Sequence, residues 1–579
     1  MRRPARRRDG LRRRRSGGAS GAAELCDGRD NDCDGSPIAG DDLDGDGYAA
    51  ASSACVEAAG TLPKTDCDDG NDAVHPGATD TCNGADDDCN GTDDDPATAD
   101  ASCNPTARGT SICADGACEV TSCDTGYDDC DSSASNGCEI TLATDAAHCG
   151  ACGSACGVGG YCRASVCRPA HVRSLRFGGV GADTVSAIAV DASGNLYITG
   201  AIEGTVNFGG SDLTSASGAS IFVASFTPAG AHRWSAAYGG GGLSRGEDIA
   251  VDASGNVYVT GQLFGTANFG GGNRASAGED DVFVASFTSA GAHRWSQRYG
   301  STGSDRGAGL TVSGANVVVT GSFSDTVDFG GPFARVSNGS LDVFVIAYTT
   351  GAGAHAWSAA FGGAAMDLGE AIASDATGNV YVTGRGNGEM ILYQFTSSGS
   401  LGWYDRYGPS GNATGADIAV DGSTLYVVGS FQSTLDLGGG VATSAGSFDV
   451  FVASYAAADG AHRWSNTYGG TSVDRAFGVA LFSSQPVVAG MFGAAVDFGG
   501  GTLTSLGGLD SFVGGYQSSG GAHDWSRRDG ASGSDVAADV GVSGSSVWVA
   551  GTFSGTVDFG GGGRVSAGGT DIFLLELAP

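Results

Sequence analysis

The sequence predicts an all-β fold: a seven-bladed β-propeller over residues 169–579, preceded by a small irregular region rich in disulfides and acidic side chains. Three observations predict it. An apolar run ending in Gly recurs seven times: NLYITG (195–200), NVYVTG (256–261), NVVVTG (316–321), NVYVTG (379–384), TLYVVG (424–429), PVVAG (486–490) and SVWVAG (546–551). Each is preceded by a strand-like segment such as AIAVD (187–191) or DIAVD (248–252), and followed by one such as IFVASF (221–226). A fourth segment, mostly Gly-Ala-His-x-Trp-Ser, ends the unit. Its tryptophans, Trp234, Trp295, Trp357, Trp403, Trp464 and Trp525, are spaced 61, 62, 46, 61 and 61 residues apart. Self-similarity at such a period marks an array. Four short strands joined by Gly/Ser/Asn turns make one propeller blade.

Helical arrays are excluded. No unit carries a long apolar run at helical spacing, and the chain's 102 glycines would penalise helices heavily. Within a blade, the AIAVD segment is expected innermost and the His-x-Trp-Ser segment outermost. The ends predict the closure. The repeat region enters on HVRSLRFGG (171–179), an outer strand, and leaves on DIFLLEL (571–577), a third strand. The first strand therefore completes the last blade and removes an exposed sheet edge.

The repeated polar residues read as structural. His232, His293, His355, His462 and His523 each precede a Trp by two positions, and seven-fold symmetry spreads them around a rim. Asp191, Asp252 and Asp421 close the first strand and are expected to bond turn amides. Asp305, Asp474 and Asp535 are read as turn braces before calcium ligands. The pattern A-I-A-V-D…G-N-V-Y-V-T-G…D-V-F-V-A-S-F…G-A-H-R-W-S resembles the seven-bladed β-propeller repeat family of secreted bacterial proteins, and the wider NHL-type propellers. The resemblance implies a fold over roughly 400 residues and leaves function open, since propellers host many activities.

All 17 cysteines lie between Cys26 and Cys167. That density, with few large apolar side chains, predicts a disulfide scaffold made in an oxidising compartment. An odd count leaves one thiol over. Residues 24–104 also hold 22 Asp and Glu against Arg29 and Lys64. Their spacing is regular. Asp30, Asp32 and Asp34 before Gly35, and Asp42, Asp44 and Asp46 before Gly47, follow D-x-D-x-D-G. Asp86, Asp88 and Asn90 before Gly91 repeat it with Asn third. Alternate oxygen side chains before a tight turn wrap a hard cation such as Ca²⁺. No bidentate Glu follows at the twelfth position, so each loop needs a ligand from elsewhere or from water.

ELCDGRDNDCDG (24–35), its echo DTCNGADDDCNG (80–91) and the run DCDDGNDAVHPGA (66–78) resemble the MopE-type metal-binding motif. That name implies copper, but the side chains are hard oxygens, which favour calcium. His75 precedes Pro76 and reads as a turn residue. NGCEITL (136–142) and CGACGSAC (149–156) resemble cysteine-rich modules of secreted bacterial proteins, and a disulfide framework is favoured there over a zinc or redox Cys149–Cys152 pair.

The expected organisation is an Arg-rich segment (1–23), acidic metal-binding repeats (24–102), a cysteine module (103–168) and the propeller (169–579). Residues 1–15 hold nine arginines but no stacking aromatics, which argues against nucleic acid. Neither a signal peptide nor a transmembrane segment is visible. The half-repeat at Glu24 points to a true start upstream. No Gly-x-Ser-x-Gly, no His-Glu-x-x-His and no acidic pair departing from the repeat is present, so no catalytic residue is assigned. The expected function is a secreted or cell-surface, calcium-stabilised binding or scaffold protein, its partner an extracellular glycan or protein. The alternatives are an extracellular propeller enzyme acting on polysaccharide, and a metal-storage protein.

Overall fold

The computed structural model describes residues 22–27, 29, 31, 42–103, 108–156, 161–163, 165–216, 218–239, 242–408 and 412–579. The chain divides into two compact units, residues 1–155 with 162–166, and residues 156–161 with 167–579.

The second unit is seven antiparallel sheets of the expected strand order. Blade one runs Thr184–Val190, Leu196–Ile202, Gly218–Phe226 and His232–Tyr238, from the axis outward. Blade seven takes Val536–Ser543, Ser546–Phe553 and Asp571–Ala578 from the end of the chain, and Ala170–Phe177 as its outer strand. Ile572 pairs with Phe177 and Leu574 with Leu175, and Arg176 forms an ion pair with Asp571. The ring thus closes as the chain ends predict.

The invariant Gly has a steric cause. Each inner strand carries a bulge, between Val185 and Ala187 in blade one. The bulge turns a carbonyl onto the second strand. A Cβ on Gly200 would lie 2.0 Å from the Thr184 carbonyl oxygen. On Gly429 it would lie 2.0 Å from that of Thr414. No side chain fits there.

Apolar side chains on both faces of each sheet build the core between blades. Tyr197, Ile221 and Val223 of blade one pack with Val257, Leu263 and Phe283 of blade two. Burying one such side chain contributes about 1.5–3 kcal/mol. The tryptophans join neighbours by hydrogen bonds as well. The indole N–H of Trp234 donates to the Ser289 carbonyl at 2.9 Å, and that of Trp295 to Thr350 at 3.1 Å, each in the outer turn of the next blade. Arg173 stands at this position in the closing strand and pairs with Glu576 at 3.4 Å.

The repeated polar residues are structural. His232 lies 3.0 Å from Ser235 Oγ, and His293 3.2 Å from Ser296 Oγ, each within its own blade. Asp305 accepts the amides of Ser301 and Ser324, Asp474 those of Gly470 and Gly493, and Asp535 those of Ala531 and Ser554. These are the turn braces expected. Asp191 accepts from the Ser193 and Asn195 amides and from the Tyr197 hydroxyl, and Asp252 repeats this. Asp421 departs from the expectation. It pairs with Thr424 across a two-residue turn, too short for that network, which appears instead at Asp375.

In the first unit, Leu25 bridges Val56 and Ala50 bridges Asp66, both in parallel. A short helix, Pro96–Ser102, starts at the cap Asp95, whose carboxylate accepts from Ala97 N. A hairpin pairs Gly109–Ala114 with Ala117–Cys123. The apolar cluster of this unit is small: Cys26, Ala49 and Cys55, with Leu62 against them. Disulfides supply what burial cannot. They join Cys26–Cys55, Cys67–Cys89, Cys82–Cys113, Cys103–Cys118, Cys123–Cys138, Cys130–Cys152 and Cys149–Cys162, while an eighth, Cys156–Cys167, lies in the second unit. Cys149 and Cys152 bond to different partners, as a framework requires. Cys33 lies outside the described residues. Eight such bonds need an oxidising environment. No helix among the described residues is long and apolar enough to cross a membrane.

Candidate functional site

The loop at residues 42–47 gathers three carboxylates. One oxygen from each of Asp42, Asp44 and Asp46 lies within 4.8 Å of the others. Backbone amides set the loop. Gly45 N donates to Asp42 at 2.7 Å and Tyr48 N to Asp46 at 2.8 Å. The run 66–78 folds back against it, held by the Ala50–Asp66 bridge and by Leu43 N donating to Asp69 at 3.0 Å. Burial pushes the Asp66 carboxyl up, and repulsion from Asp46, Asp44 and Asp69 adds to it. Asp44 Oδ2, Asp46 Oδ2 and Asp66 Oδ2 are buried without a hydrogen-bond donor. Buried carboxylate oxygens that repel one another and lack donors are costly. This donor set fits a hard cation, which takes six to eight oxygens. Sequence spacing found Asp42, Asp44 and Asp46. It missed Asp66 and Asp69, which chain reversal brings in.

The loop at Asp86, Asp88 and Asn90 differs. Both Asp86 oxygens accept backbone amides, from Asn90 at 3.0 Å and Gly91 at 2.8 Å. Asp88 accepts from Asn90 N at 3.1 Å, and the Asn90 side-chain oxygen from Thr92 N at 2.9 Å. This loop satisfies itself. Asp30, Asp32 and Asp34 lie outside the described residues. His75 stacks on Tyr48, ring centroids 5.4 Å apart. The sulfur-containing clusters at Cys82, Cys130, Cys149 and Cys67 draw every sulfur from a disulfide; His148 stands in the second and Asp66 in the last.

The second unit carries its own cavity. It lies on the propeller axis, has a volume of about 530 Å³, and is walled by all seven inner strands. It sits at the end where inner strands begin and second strands finish, which is the face of the long loops. Its charges break the repeat. Arg245, Arg306 and Arg475 occupy one inner-strand position where other blades have Thr184, Leu368, Thr414 and Val536. Arg306 sits between Glu247 at 3.3 Å and Glu370 at 3.2 Å. Arg245 reaches Glu247 at 3.6 Å and Ser186 Oγ at 2.8 Å. Glu247 and Glu370 thus form an acidic pair departing from the repeat, contrary to the sequence expectation. Each looks regular within its own strand, and only the ring brings them to one arginine.

Three aspartates lie deeper. Asp248 accepts Ile249 N and Leu310 N, Asp417 accepts Ile418 N and Val479 N, and Asp539 accepts Val540 N and Ile188 N. In each case the second donor belongs to the following blade. These carboxylates are latches between inner strands.

Residues 19–37 and 66–95 match the family described as "Putative metal-binding motif", of MopE type, and residues 172–205 match the family described as "Beta-propeller repeat". The chain is similar to the regulatory protein FlaEY of Caulobacter vibrioides, 26% identical over 432 residues, covering 66% of this chain and 44% of that protein. It is also similar to an uncharacterized WD repeat-containing protein of Acanthamoeba polyphaga mimivirus, 23% identical over 203 residues, covering 29% of this chain and 14% of that one. The chain spans less than half the length of these curated relatives. Among solved structures, BamB from Moraxella catarrhalis aligns at 14% identity and a TM-score of 0.33, covering 70% of this chain and 97% of that one. Quinohemoprotein alcohol dehydrogenase from Comamonas testosteroni aligns at 10% identity and a TM-score of 0.36, covering 70% and 76%. No activity follows from likenesses this distant. By its own residues and these two motif matches, the chain joins MopE-type metal-binding motifs in sequence to a seven-bladed propeller of the beta-propeller repeat kind.

Proposed function

We propose that this is a secreted or cell-surface binding and scaffold protein, with a front unit stabilised by calcium and a propeller that serves as the platform for an extracellular glycan or protein. The observation that carries the reading is the set of buried, donorless oxygens at Asp44, Asp46 and Asp66. Asp42, Asp44, Asp46 and Asp66 would hold the ion, with Asp69 beside them. The bound ion would neutralise carboxylates that otherwise repel one another. Oxygen donors favour calcium over copper, which prefers imidazole and sulfur. The loop at Asp86, Asp88 and Asn90 is the weaker candidate, because its oxygens already accept amides. A ligand bound only by the native state stabilises it by about 2.7 kcal/mol at a hundredfold excess over Kd. Unfolding of the full chain, followed by a probe of the front unit, with calcium, copper or chelator, tests this. Calcium should raise the midpoint. A response to copper alone supports the storage alternative, and identical midpoints in all three sink the metal reading.

A second reading has one observation in its favour. Glu247 and Glu370 flank Arg306 in the axial cavity, and burial pushes the Glu370 carboxyl up despite that arginine. Paired carboxylates are the equipment of polysaccharide hydrolysis. A hydrolase-substrate panel, with Glu370→Gln as the control, separates this from binding alone.

A further inference from the structure

The axial cavity is unevenly charged. On the side of blades two to four, Arg245 and Arg306 are balanced by Glu247 and Glu370. On the side of blades four to six the cavity arginines make no ion pair among the described residues. The Arg475 guanidinium lies over the Phe448 ring, 4.2 Å from its centroid, and its Nε is buried without an acceptor. Arg385, on the second strand of blade four, touches Met366 Sδ at 3.8 Å, and its Nε is likewise buried without an acceptor. No carboxylate forms an ion pair with either among the described residues, although the Glu370 charge, already paired with Arg306, also attracts Arg385. Between them blade five offers hydroxyls, Thr414 and Ser430, and Phe477 adds an apolar face. The latch aspartates do not fill the role, since both oxygens of each already accept backbone amides. In a chain of net charge −35, such a cationic arc is a local reversal.

We propose that this arc binds a hydroxylated carboxylate of the uronic acid type, its carboxylate on Arg475 and Arg385, its hydroxyls toward Thr414 and Ser430, and its ring against Phe477. A guanidinium takes a carboxylate through paired N–H donors, and such charge-assisted bonds are roughly twice as strong as neutral ones. The lining is hydroxylic and aromatic on one wall, which suits a sugar ring better than a fatty or purely anionic ligand. At about 530 Å³ the cavity holds one or two sugar rings. The same chemistry comes from a free uronate or from the end of an acidic polysaccharide. This inference rests on the binding-platform reading and names its ligand class.

The test is calorimetric titration of the full chain with galacturonate, trigalacturonate, glucose and inorganic phosphate. Saturable binding of a uronate at up to millimolar concentration is expected, with none for glucose. Arg475→Gln and Arg385→Gln should each weaken it by about tenfold or more. Tryptophan fluorescence confirms that both variants remain folded. Tighter binding of trigalacturonate identifies the polymer as source, and equal binding identifies the free sugar acid. No uronate binding, or binding untouched by both variants, overturns the proposal. So does phosphate binding as well as uronate, which marks an anion site blind to sugar. The calcium response of the front unit is read separately. If it persists while uronates fail to bind, this inference alone falls.

Discussion

The Asp539 carboxylate accepts the Ile188 amide at 2.8 Å, tying residues 351 positions apart. It joins the inner strands of blades seven and one beside the axis, while Asp571–Ala578 and Ala170–Phe177 close the ring farther out. Asp248 reaches Leu310 at 2.6 Å, and Asp417 reaches Val479 at 2.7 Å, in the same manner. Asp539→Ala leaves the amides of Ile188 and Val540 without acceptors. An unmade hydrogen bond at a buried group costs about 1–3 kcal/mol. The variant should lose about 2 kcal/mol of propeller stability by this estimate. All seven tryptophans lie in the propeller, so urea unfolding followed by their fluorescence reads this unit alone. An unchanged midpoint would mean that water replaces the carboxylate.

The latches also predict a pH dependence. Burial pushes Asp248 and Asp417 up to about 7, with Glu247 adding to the first and Asp248 to the second. Burial, with Asp417 and then Asp248 nearby, drives Asp539 well above the carboxylate range. In the unfolded chain each titrates near 3.9. Between those values the native state holds more protons. Stability from these groups is therefore full below about pH 4 and is lost as pH rises through about 7. Burial lowers His171, His232, His293, His355 and His462, which removes stability below about pH 6.5 and works the other way. The measurement is thus a difference. Wild type should lose stability relative to Asp248→Asn/Asp417→Asn as pH goes from about 5 to about 7.5. Parallel curves would show that the carboxylates stay ionised throughout.

Reduction should separate the two units. Seven of the eight described disulfides lie in the front unit; the eighth, Cys156–Cys167, belongs to the second unit but precedes the blades, and no strand beyond residue 170 contains a cysteine. Losing one native disulfide from a small domain costs about 2–5 kcal/mol. Dithiothreitol should make the front unit protease-sensitive and leave the tryptophan unfolding curve where it was. A shift of that curve would show that the propeller depends on the front unit.

Much of this was legible because the repeat is strict. The Gly within each second strand and the Trp of six outer strands mark the blades, and HVRSLRFGG shows how the ring closes. Other features follow from the third dimension. Asp66 joins Asp44 and Asp46 only because the chain doubles back through the Ala50–Asp66 bridge. Arg245, Arg306, Arg385 and Arg475 are spread over some 230 residues, and closure of the ring gathers them. Aligned units show Arg245, Arg306 and Arg475 as charges at an inner-strand position where sister units carry Thr, Leu or Val, and Arg385 as one on the second strand where sister units carry uncharged residues. Disulfide pairing could not be read at all, since spacing alone leaves too many connectivities.

The two acidic loops should respond differently to substitution. Asp44→Asn or Asp46→Asn removes a charge whose second oxygen is buried without a donor. Each should weaken the calcium-induced rise in front-unit stability. Asp86→Asn should leave that rise largely intact, because Asp86 already accepts from Asn90 and Gly91. Equal loss from all three would place the ion elsewhere or reveal two sites of equal weight.

Blade four supplies the last prediction. Its second and third strands, Val380–Gly386 and Glu389–Phe395, meet at a two-residue turn. Asn387 and Gly388 both take positive φ, 53° and 83°, as the tight hairpin turn with matching twist requires. The other six blades carry a two-stranded ribbon there, such as Thr434–Asp436 with Val441–Thr443 in blade five. The short turn therefore leaves a notch in the rim, next to the strand that places Arg385 in the axial cavity. Replacing residues 387–388 by the blade-five loop, residues 432–447, fills the notch. Loop closure grows slowly with length, about 0.6 kcal/mol per doubling, so the propeller should remain folded. Galacturonate is small enough to enter from above, and its affinity should hold. Trigalacturonate must extend past the rim, and its affinity should fall toward that of the monomer. If the graft leaves both affinities unchanged, the notch is a deletion without consequence for binding.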